Sequence, residues 1–336
     1  MDDPFSTAVA AHKAGDYEAA ILGYRSVLHL RNARHNLGAL FNQLGRLDEA
    51  EAALRPVVEQ FPDFAPSRFS LATALLAQQR YAEAWPLYEA RRHLDNPAIF
   101  EPQTEAPEWR GEPIAGRRLL VCAEQGYGDQ IMFARYLEPL RATGAKVMLG
   151  CNRTIAQLFT GLGLPIALFT SGHRVPPPCD AWVLLCSLPL RLGLGAPPPA
   201  SPLTAPPTGG GGVGVAPSGS AQLEGRRSLA GADADRLLAW GRDLRPEATG
   251  AADFRQTAEI ILGLDLVISV DTAIAHLAAT LGVETWVLLP AFGTDWRWGR
   301  GQAPSPWHPH VRQLRQATAG EWGPVLDEVE RALASR

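Results

Sequence analysis

The sequence predicts an α/β protein in which helical repeats precede parallel β-sheet. Three observations predict this: one hexamer recurs in the first 84 residues, strand and helix patterns alternate from residue 118, and residues 264–281 form a strand–turn–helix pattern. Strands that alternate with helices form parallel sheets, because each helix returns the chain to the same edge. We expect helical repeats at 1–95, a first α/β region at 96–205 and a second at 206–336.

Length and composition argue against several classes of protein, among them nucleic-acid-binding and membrane proteins. The 336 residues allow two or three domains, and a net charge of −4 provides no broad basic surface for nucleic acid or anionic membrane. No apolar run of about 18 residues predicts a membrane-inserted helix, and the acidic N-terminus does not resemble a signal peptide. The four cysteines lack CxxC spacing, so we expect reduced thiols in a cytoplasmic protein without a metal or cofactor.

The recurring hexamers are Gly15–Ala20 (GDYEAA), Gly45–Ala50 (GRLDEA) and Gln79–Ala84 (QRYAEA), with offsets of 30 and 34 residues. Their terminal alanines would let paired helices approach closely. Residues 5–93 resemble tetratricopeptide repeats. The resemblance implies a curved surface that holds a peptide. A short array that packs on its neighbouring domain or forms a homodimer is the alternative, and the sequence leaves both open.

The strand–turn–helix pattern predicts an anion site. Leu266–Val270 is apolar and rich in β-branched residues, as in a strand that is buried on both faces. Asp271 and Thr272, both good helix N-caps, follow at once. A helix N-terminus at the carboxyl end of a parallel strand offers free N–H groups and a partial positive charge. His276 lies one turn inside. The alternative is that Asp271 and Thr272 serve only to cap the helix and that His276 is a hydrogen-bonded core residue.

A second turn follows the predicted strand Arg118–Ala123 and runs into a helix predicted to extend to Leu140. Gly126 and Gly128 would let a ligand approach the backbone there. Asp129 begins the helix, where a carboxylate favours the helix dipole. Its alternative role is that of a general base for an acceptor hydroxyl.

Four stretches carry a further resemblance: WRGEPIAGRRLLVCAEQGYGDQIMFARYL, CDAWVLLCSLPLRLGL, LDLVISVDTAIAHLAATLG and WVLLPAFGTDWRWGRGQAPSPWHPHVRQLRQ. Together with the repeats, and in this order, they resemble the bacterial tetratricopeptide-repeat glycosyltransferases. That family is related to the heptosyltransferases and more distantly to the O-linked N-acetylglucosamine transferases. The resemblance implies two Rossmann-like lobes (GT-B-like) with the active site in the cleft between them.

By this resemblance the first lobe binds the acceptor and the second binds the nucleotide sugar. Asp129 is then the base, with Gln125, Gly126 and Gly128 beside it on the acceptor side. The implied donor-binding residues are Asp271, Thr272, Ala273 and His276, together with Arg227 and the turn Ser218, Gly219 and Ser220. Arg227 would clamp a diphosphate, since a guanidinium pairs bidentately with phosphate; a solvated surface arginine is the alternative. The last helix, with Trp322 and Leu333 on its apolar face, is implied to cross back to the first lobe.

The second half departs from the family pattern. Residues 228–253 leave room for one helix, Asp233–Leu244, and a loop, which predicts a shortened second lobe. The proline- and glycine-rich segment Gly195–Gly212 is either a hinge between lobes or a tolerated loop. Trp296 and Trp298 would stack on a sugar or base, or seal the cleft floor. Two histidines at 308 and 310 lack a nearby acidic partner, so no metal site is predicted there.

The sequence therefore favours an inverting, metal-independent glycosyltransferase that moves a sugar from a nucleotide sugar to a protein, peptide or glycan hydroxyl. The alternative is a non-catalytic scaffold that uses a degenerate transferase lobe and the repeats to bind partners. The sugar, the nucleotide base, the acceptor and the oligomeric state stay open.

Overall fold

The computed structural model describes residues 3–96, 98–170, 174–199, 201–203, 205, 208, 210–219, 227–300 and 304–336. The predicted donor-binding residue Ser220 lies outside the described residues. The chain forms two compact units. The first comprises Met1–Asn96 with Phe292–Ala303, and the second comprises Pro97–Ala291 with Pro304–Arg336.

The described part of the first unit contains three helix pairs, and each hexamer begins the second helix of a pair. The helices are α1 Pro4–Ala14, α2 Tyr17–Ser26, α3 Arg31–Gln43, α4 Leu47–Gln60, α5 Ala65–Ala77 and α6 Tyr81–Tyr88. The first residue of each hexamer has a positive φ in the turn between paired helices: 83° at Gly15, 75° at Gly45 and 61° at Gln79. The hexamer alanines Ala20, Ala50 and Ala84 are fully buried, as expected for closely paired helices.

The first unit also includes residues 292–300, which follow the last helix pair by about two hundred residues in sequence. We call them the 292–300 segment. The ring of Phe292 stacks on Tyr17 of α2 at 4.5 Å and an interplanar angle of 4°. The Gly293 N–H donates to the carbonyl oxygen of Gln43 at the end of α3 (2.9 Å). The repeats therefore pack against a segment of their own chain.

The described residues of the second unit form two fully parallel sheets, which confirms the predicted parallel α/β architecture. The first sheet has the order β3-β2-β1-β4 and the second has the order β6-β5-β7-β8-β9. The strands are β1 Arg118–Cys122, β2 Lys146–Cys151, β3 Ile166–Leu168, β4 Ala181–Leu184, β5 Val213–Ala216, β6 Arg242–Asp243, β7 Leu266–Val270, β8 Glu284–Leu289 and β9 Arg312–Arg315.

In both sheets the direction of strand addition reverses once, between β1 and β4 and between β5 and β7. Ligands of open α/β sheets bind outside the carboxyl ends of strands at such a switch point. The helices of this unit are α7 Tyr127–Phe133, α8 Leu137–Ala142, α9 Arg153–Thr160, α10 Leu188–Arg191, α11 Gly231–Leu238, α12 Pro246–Thr249, α13 Phe254–Leu262, α14 Ala273–Leu281 and α15 Gly323–Ala334.

The helix predicted to run from the turn after β1 to Leu140 is interrupted. A short 3₁₀ segment, Ala134–Tyr136, separates α7 from α8. Pro139 explains the break, because it lacks the N–H that would donate to the Arg135 carbonyl and its ring crowds that carbonyl. The apolar spacing alone predicts a continuous helix, whereas Pro139 indicates the break.

The second sheet is less reduced than predicted. Where a helix to Leu244 and a loop were expected, α11 ends at Leu238 and the two-residue strand β6 pairs with β5. A Cβ on Gly241 would lie 2.3 Å from the carbonyl oxygen of Val213, so only glycine permits this close approach. A strand of two residues leaves no periodic pattern, which is why the sequence did not reveal it.

The prediction that the last helix crosses back to the first lobe was wrong. The buried residues of α15, Val325, Leu326 and Val329, belong to the core of the second sheet, where they join Ile268 and Leu288. The apolar face was predicted correctly, but its partner is the sheet that immediately precedes it in the chain.

Candidate functional site

The predicted site residues of the second unit lie at the two switch points. Asp129 follows β1, Gly219 follows β5 and Asp271 follows β7, each beyond the carboxyl end of its strand. Helix α7 packs against α14, which brings the two switch points together. Gly128 makes this contact possible, because a Cβ there would lie only 2.8 Å from Cδ2 of His276.

The start of α14 is capped by Thr272. Its Oγ1 accepts from the Ala275 N–H (3.4 Å) and lies 2.9 Å from the hydroxyl of buried Ser269. The turn after β5 covers the same place, since a Cβ on Gly219 would lie 3.1 Å from Thr272 Cγ2. Ala273, the first residue of α14, has its Cα 3.7 Å from the position of a Gly128 Cβ. The structure thus brings together Gly128, Gly219, Thr272 and Ala273 at one positively polarised helix end.

Asp271 and Arg227 form an ion pair beside this helix end. Arg227 Nη1 donates to Asp271 Oδ2 at 2.8 Å, and the carboxylate is 3% exposed whereas the arginine side chain is 25% exposed. The predicted phosphate clamp therefore also neutralises a buried carboxylate. Removing either partner of a buried pair is costly because the remaining charge is left without compensation.

His276 is buried between two polar partners. Its Nε2 lies 3.6 Å from Asp271 Oδ1, an electrostatic contact beyond hydrogen-bond length, and its Nδ1 lies 3.0 Å from Nε2 of His308. His308 is itself buried. This partnership leaves no local sequence signal, because the two histidines are separated by 32 residues.

Asp129 has a local structural contact. Its Oδ2 accepts from the Gly126 N–H at 3.1 Å, as a first-turn carboxylate does in a capping box. The preceding Gln125 has a φ of 62°, a left-handed conformation that non-glycine residues rarely adopt and that is common at functional sites. The Gln125 N–H donates to the Ala98 carbonyl (2.9 Å). The role of Asp129 as a base stays a prediction.

Glu124 is a buried carboxylate that was not among the predicted site residues. Its Oε1 accepts from the Cys186 N–H at 3.2 Å, which joins the turn after β1 to the residues that follow β4. Burial raises the pKa of the Cys122 thiol well above its usual value, and the nearby Glu124 carboxylate adds a smaller effect in the same direction. The available signal was a lone acidic residue directly after an apolar strand.

Trp296 and Trp298 lie in the first unit, in the 292–300 segment. The Trp296 ring contacts Trp85 and Tyr88, with ring centroids 6.2 and 6.1 Å away and steeply inclined planes. Trp298 is fully buried. Neither indole is exposed for stacking on a sugar, so these two residues are packing residues in this structure.

Neither a metal-binding cluster nor a membrane-spanning helix is present in the described ranges. They contain no group of three or more histidine, cysteine, aspartate or glutamate side chains arranged to hold a metal ion. No helix within them is both long and apolar enough to cross a bilayer.

FlbA, a relative in sequence, and several structural neighbours are similar to part or nearly all of this chain. No protein-family model matches the chain. Protein FlbA of Caulobacter vibrioides is 34% identical in an alignment 159 residues long, which covers 43% of this chain. The match spans about a quarter of FlbA's length, 26%.

Among solved structures, the Escherichia coli heptosyltransferase WaaC aligns with a TM-score of 0.44 and 12% identity, over 65% of this chain and 99% of that one. The dodecameric iron-containing glycosyltransferase TibC from enterotoxigenic E. coli aligns with a TM-score of 0.40 and 12% identity, over 66% and 78%. An O-GlcNAc transferase of Thermobaculum terrenum aligns with a TM-score of 0.26 and 15% identity, over 99% and 92%. Because these three TM-scores are all below 0.5, the proposed function rests on the geometry of the site.

Proposed function

We propose that this chain is a glycosyltransferase that moves a sugar from a nucleotide sugar to a hydroxyl of a protein, peptide or glycan. The observation that carries the proposal is the junction of α7 with α14. At this junction the glycine turn with Asp129 and the capped helix start at Thr272 meet from two separate parallel sheets. A two-substrate transfer needs an acceptor group and a donor group at one point, and two facing switch points supply both.

The donor would lie with its diphosphate at the start of α14. The first N–H groups of this helix have no partner within the helix, and they point toward the carboxyl edge of β7. Gly219 lets the turn after β5 approach Thr272 closely, and Arg227 supplies a cation. Preorganised N–H groups aimed at a developing phosphate charge are a large catalytic contribution. With Arg227 and the helix dipole in place, the reaction is proposed to need no metal.

The acceptor hydroxyl would lose its proton to Asp129, and the deprotonated oxygen would attack the sugar carbon from the side opposite the diphosphate. This direct displacement inverts the anomeric centre. Asp129 is half-buried and its Oδ2 already accepts one backbone N–H, which fixes the carboxylate relative to α7. General-base assistance of this type accelerates a reaction about 10²- to 10⁴-fold.

The helical repeats are proposed to bring a protein or peptide acceptor to the site. The repeat surface around Tyr17 and Trp85 is already covered by the 292–300 segment. An acceptor would therefore bind the remaining surface of the array. A homodimer through that surface is the second use of the same residues.

Donor binding is tested by thermal shift with the diphosphates of uridine, adenosine and guanosine. A ligand at one hundred times its dissociation constant adds about 2.7 kcal/mol to the free energy of unfolding. We expect one diphosphate to stabilise the wild type but not Asp271→Asn. The matched control is Asp265→Asn, an exposed aspartate at the other end of β7, which should respond as the wild type does.

Turnover is tested separately with Asp129→Asn. Asparagine keeps an oxygen for the Gly126 N–H, so the turn is retained while the basic carboxylate is lost. We expect kcat to fall at least a hundredfold with donor affinity unchanged. Equal activity in wild type and variant would exclude Asp129 as the base, and activity abolished by a chelator would exclude the metal-independent mechanism.

A non-catalytic scaffold is the second candidate, and one observation favours it. Both carboxylates of the proposed site have structural partners, Asp129 with the Gly126 N–H and Asp271 with Arg227. Failure of all diphosphates and nucleotide sugars to bind at millimolar concentration would favour this candidate over the transferase.

A further inference from the structure

We propose that His308 is a positioning residue that holds His276 in the tautomer with its proton on Nε2, facing Asp271. This inference rests on the proposed function, because it assigns His276 a defined polar atom beside the diphosphate site. The observation behind it is the 3.0 Å separation between His276 Nδ1 and His308 Nε2.

Two ring nitrogens at that distance share a single proton. If His276 carries it on Nδ1 and is neutral, its Nε2 lone pair faces the Asp271 carboxylate at 3.6 Å, which is repulsive. If His308 carries it on Nε2 and donates to His276, then His276 has its own proton on Nε2, directed toward Asp271. The second arrangement places an N–H dipole against a carboxylate, so electrostatics select it.

The surroundings hold His308 in a fixed position. The Ser305 hydroxyl oxygen lies 3.1 Å from the Trp307 N–H and 3.3 Å from the His308 N–H, and it accepts from both. The Trp307 carbonyl in turn accepts from Arg135 Nη2 at 3.0 Å, and the Arg135 guanidinium lies over the Trp307 ring at 5.2 Å. Ser305, Trp307, His308 and Arg135 are all buried. A histidine held in this way can impose a tautomer on its neighbour.

The tautomer of His276 affects the charge balance at Asp271 and the orientation of Arg227. Asp271 receives Arg227 on Oδ2 and faces His276 on Oδ1, so both carboxylate oxygens point toward donors. With His276 in the opposite tautomer, the carboxylate would lose one of these favourable contacts and Arg227 would be drawn toward it more strongly. His308 therefore influences how the arginine is oriented toward an incoming diphosphate.

The first test reads the tautomer without any ligand. Long-range ¹H–¹⁵N NMR distinguishes protonated from unprotonated ring nitrogens, and the His276 signals are assigned by their loss in His276→Gln. We expect a protonated Nε2 and an unprotonated Nδ1 in the wild type, and a tautomer mixture in His308→Phe. A wild-type spectrum with the proton on Nδ1 would overturn the proposal. This readout stands even if no nucleotide binds, so failure of the proposed function is distinguishable from failure of this inference.

The second test compares two variants in diphosphate affinity. His308→Gln keeps an N–H donor near His276 Nδ1, whereas His308→Phe keeps ring volume without a donor. We expect His308→Phe to weaken diphosphate binding about tenfold, the low end of the loss seen when the orienting partner of a metal-binding histidine is removed. His308→Gln should lose less diphosphate affinity than His308→Phe does. Equal losses in both variants, at matched thermal stability, would show a role in packing only and overturn the proposal.

Discussion

Substituting Gly128 with alanine should destabilise the second unit by pushing α7 away from α14. The new Cβ would lie 2.8 Å from His276 Cδ2, whereas ordinary contacts of this kind are 3.4–4 Å. The imidazole would have to withdraw by about 0.6 Å, and the hydrogen-bonded His308 limits that movement. Overpacking of a filled core costs about 1–3 kcal/mol. Replacing a helical glycine with alanine returns about 1 kcal/mol, so the net loss is about 1 kcal/mol.

The matched control is Gly161→Ala at the end of α9. Gly161 also has helical dihedral angles, and a Cβ there would meet no atom within 4 Å. The helix gain is common to both substitutions, so the difference between the two variants isolates the contact with His276 and should be about 2 kcal/mol. Equilibrium urea unfolding followed by circular dichroism measures it. A Gly128→Ala protein as stable as Gly161→Ala would refute the close α7–α14 contact.

Three further outcomes follow from measured contacts. Trp85→Ala should cost about 3–5 kcal/mol in urea unfolding, because a buried indole that packs on the 292–300 segment is lost. Half-buried Cys179 should react with iodoacetamide before Cys151, since burial raises the pKa of the Cys151 thiol to about 12. Hydrogen bonds from Arg118 lower the pKa of Asp180 to about 2, so this carboxylate stabilises the fold above pH 4 and loses that effect as the pH falls toward 2. In Arg118→Ala, NMR titration should show the Asp180 pKa returning toward 3.8.

Local patterns predicted much of the fold. The hexamers located the helix pairs because a tight turn and a buried alanine each require a particular residue type. The buried strand Leu266–Val270 and its capped helix were equally clear, since burial on both faces leaves an uninterrupted apolar run. The break in the helix was also predictable from the sequence, because Pro139 cannot donate a backbone hydrogen bond. The two-residue strand β6 was not, because its position depends on the carbonyl of Val213 approaching Gly241 rather than on its own residues.

The features of the site that could not be predicted from the sequence are contacts between segments that lie far apart in the chain. Cap residues are predictable because their partners are three residues away, as at Thr272 and Ala275. The ion pair of Arg227 with Asp271 spans 44 residues and the histidine pair spans 32, so neither leaves a local pattern. His308 in particular follows a proline and a tryptophan in an irregular loop, where no periodicity indicates the direction of a side chain.

The packing of the 292–300 segment changes how the repeats are interpreted. From the sequence, the array either holds a peptide or packs on its neighbouring domain or forms a homodimer. The two tryptophans of the segment either stack on a sugar or base or seal the cleft floor. In the structure Phe292 stacks on Tyr17 and Trp296 contacts Trp85, which engages the first and last helix pairs at once. A peptide acceptor must therefore bind a different strip of the array or displace this segment. Displacement would expose two large aromatic rings, a free-energy cost that any competing peptide would have to offset with aromatic side chains of its own.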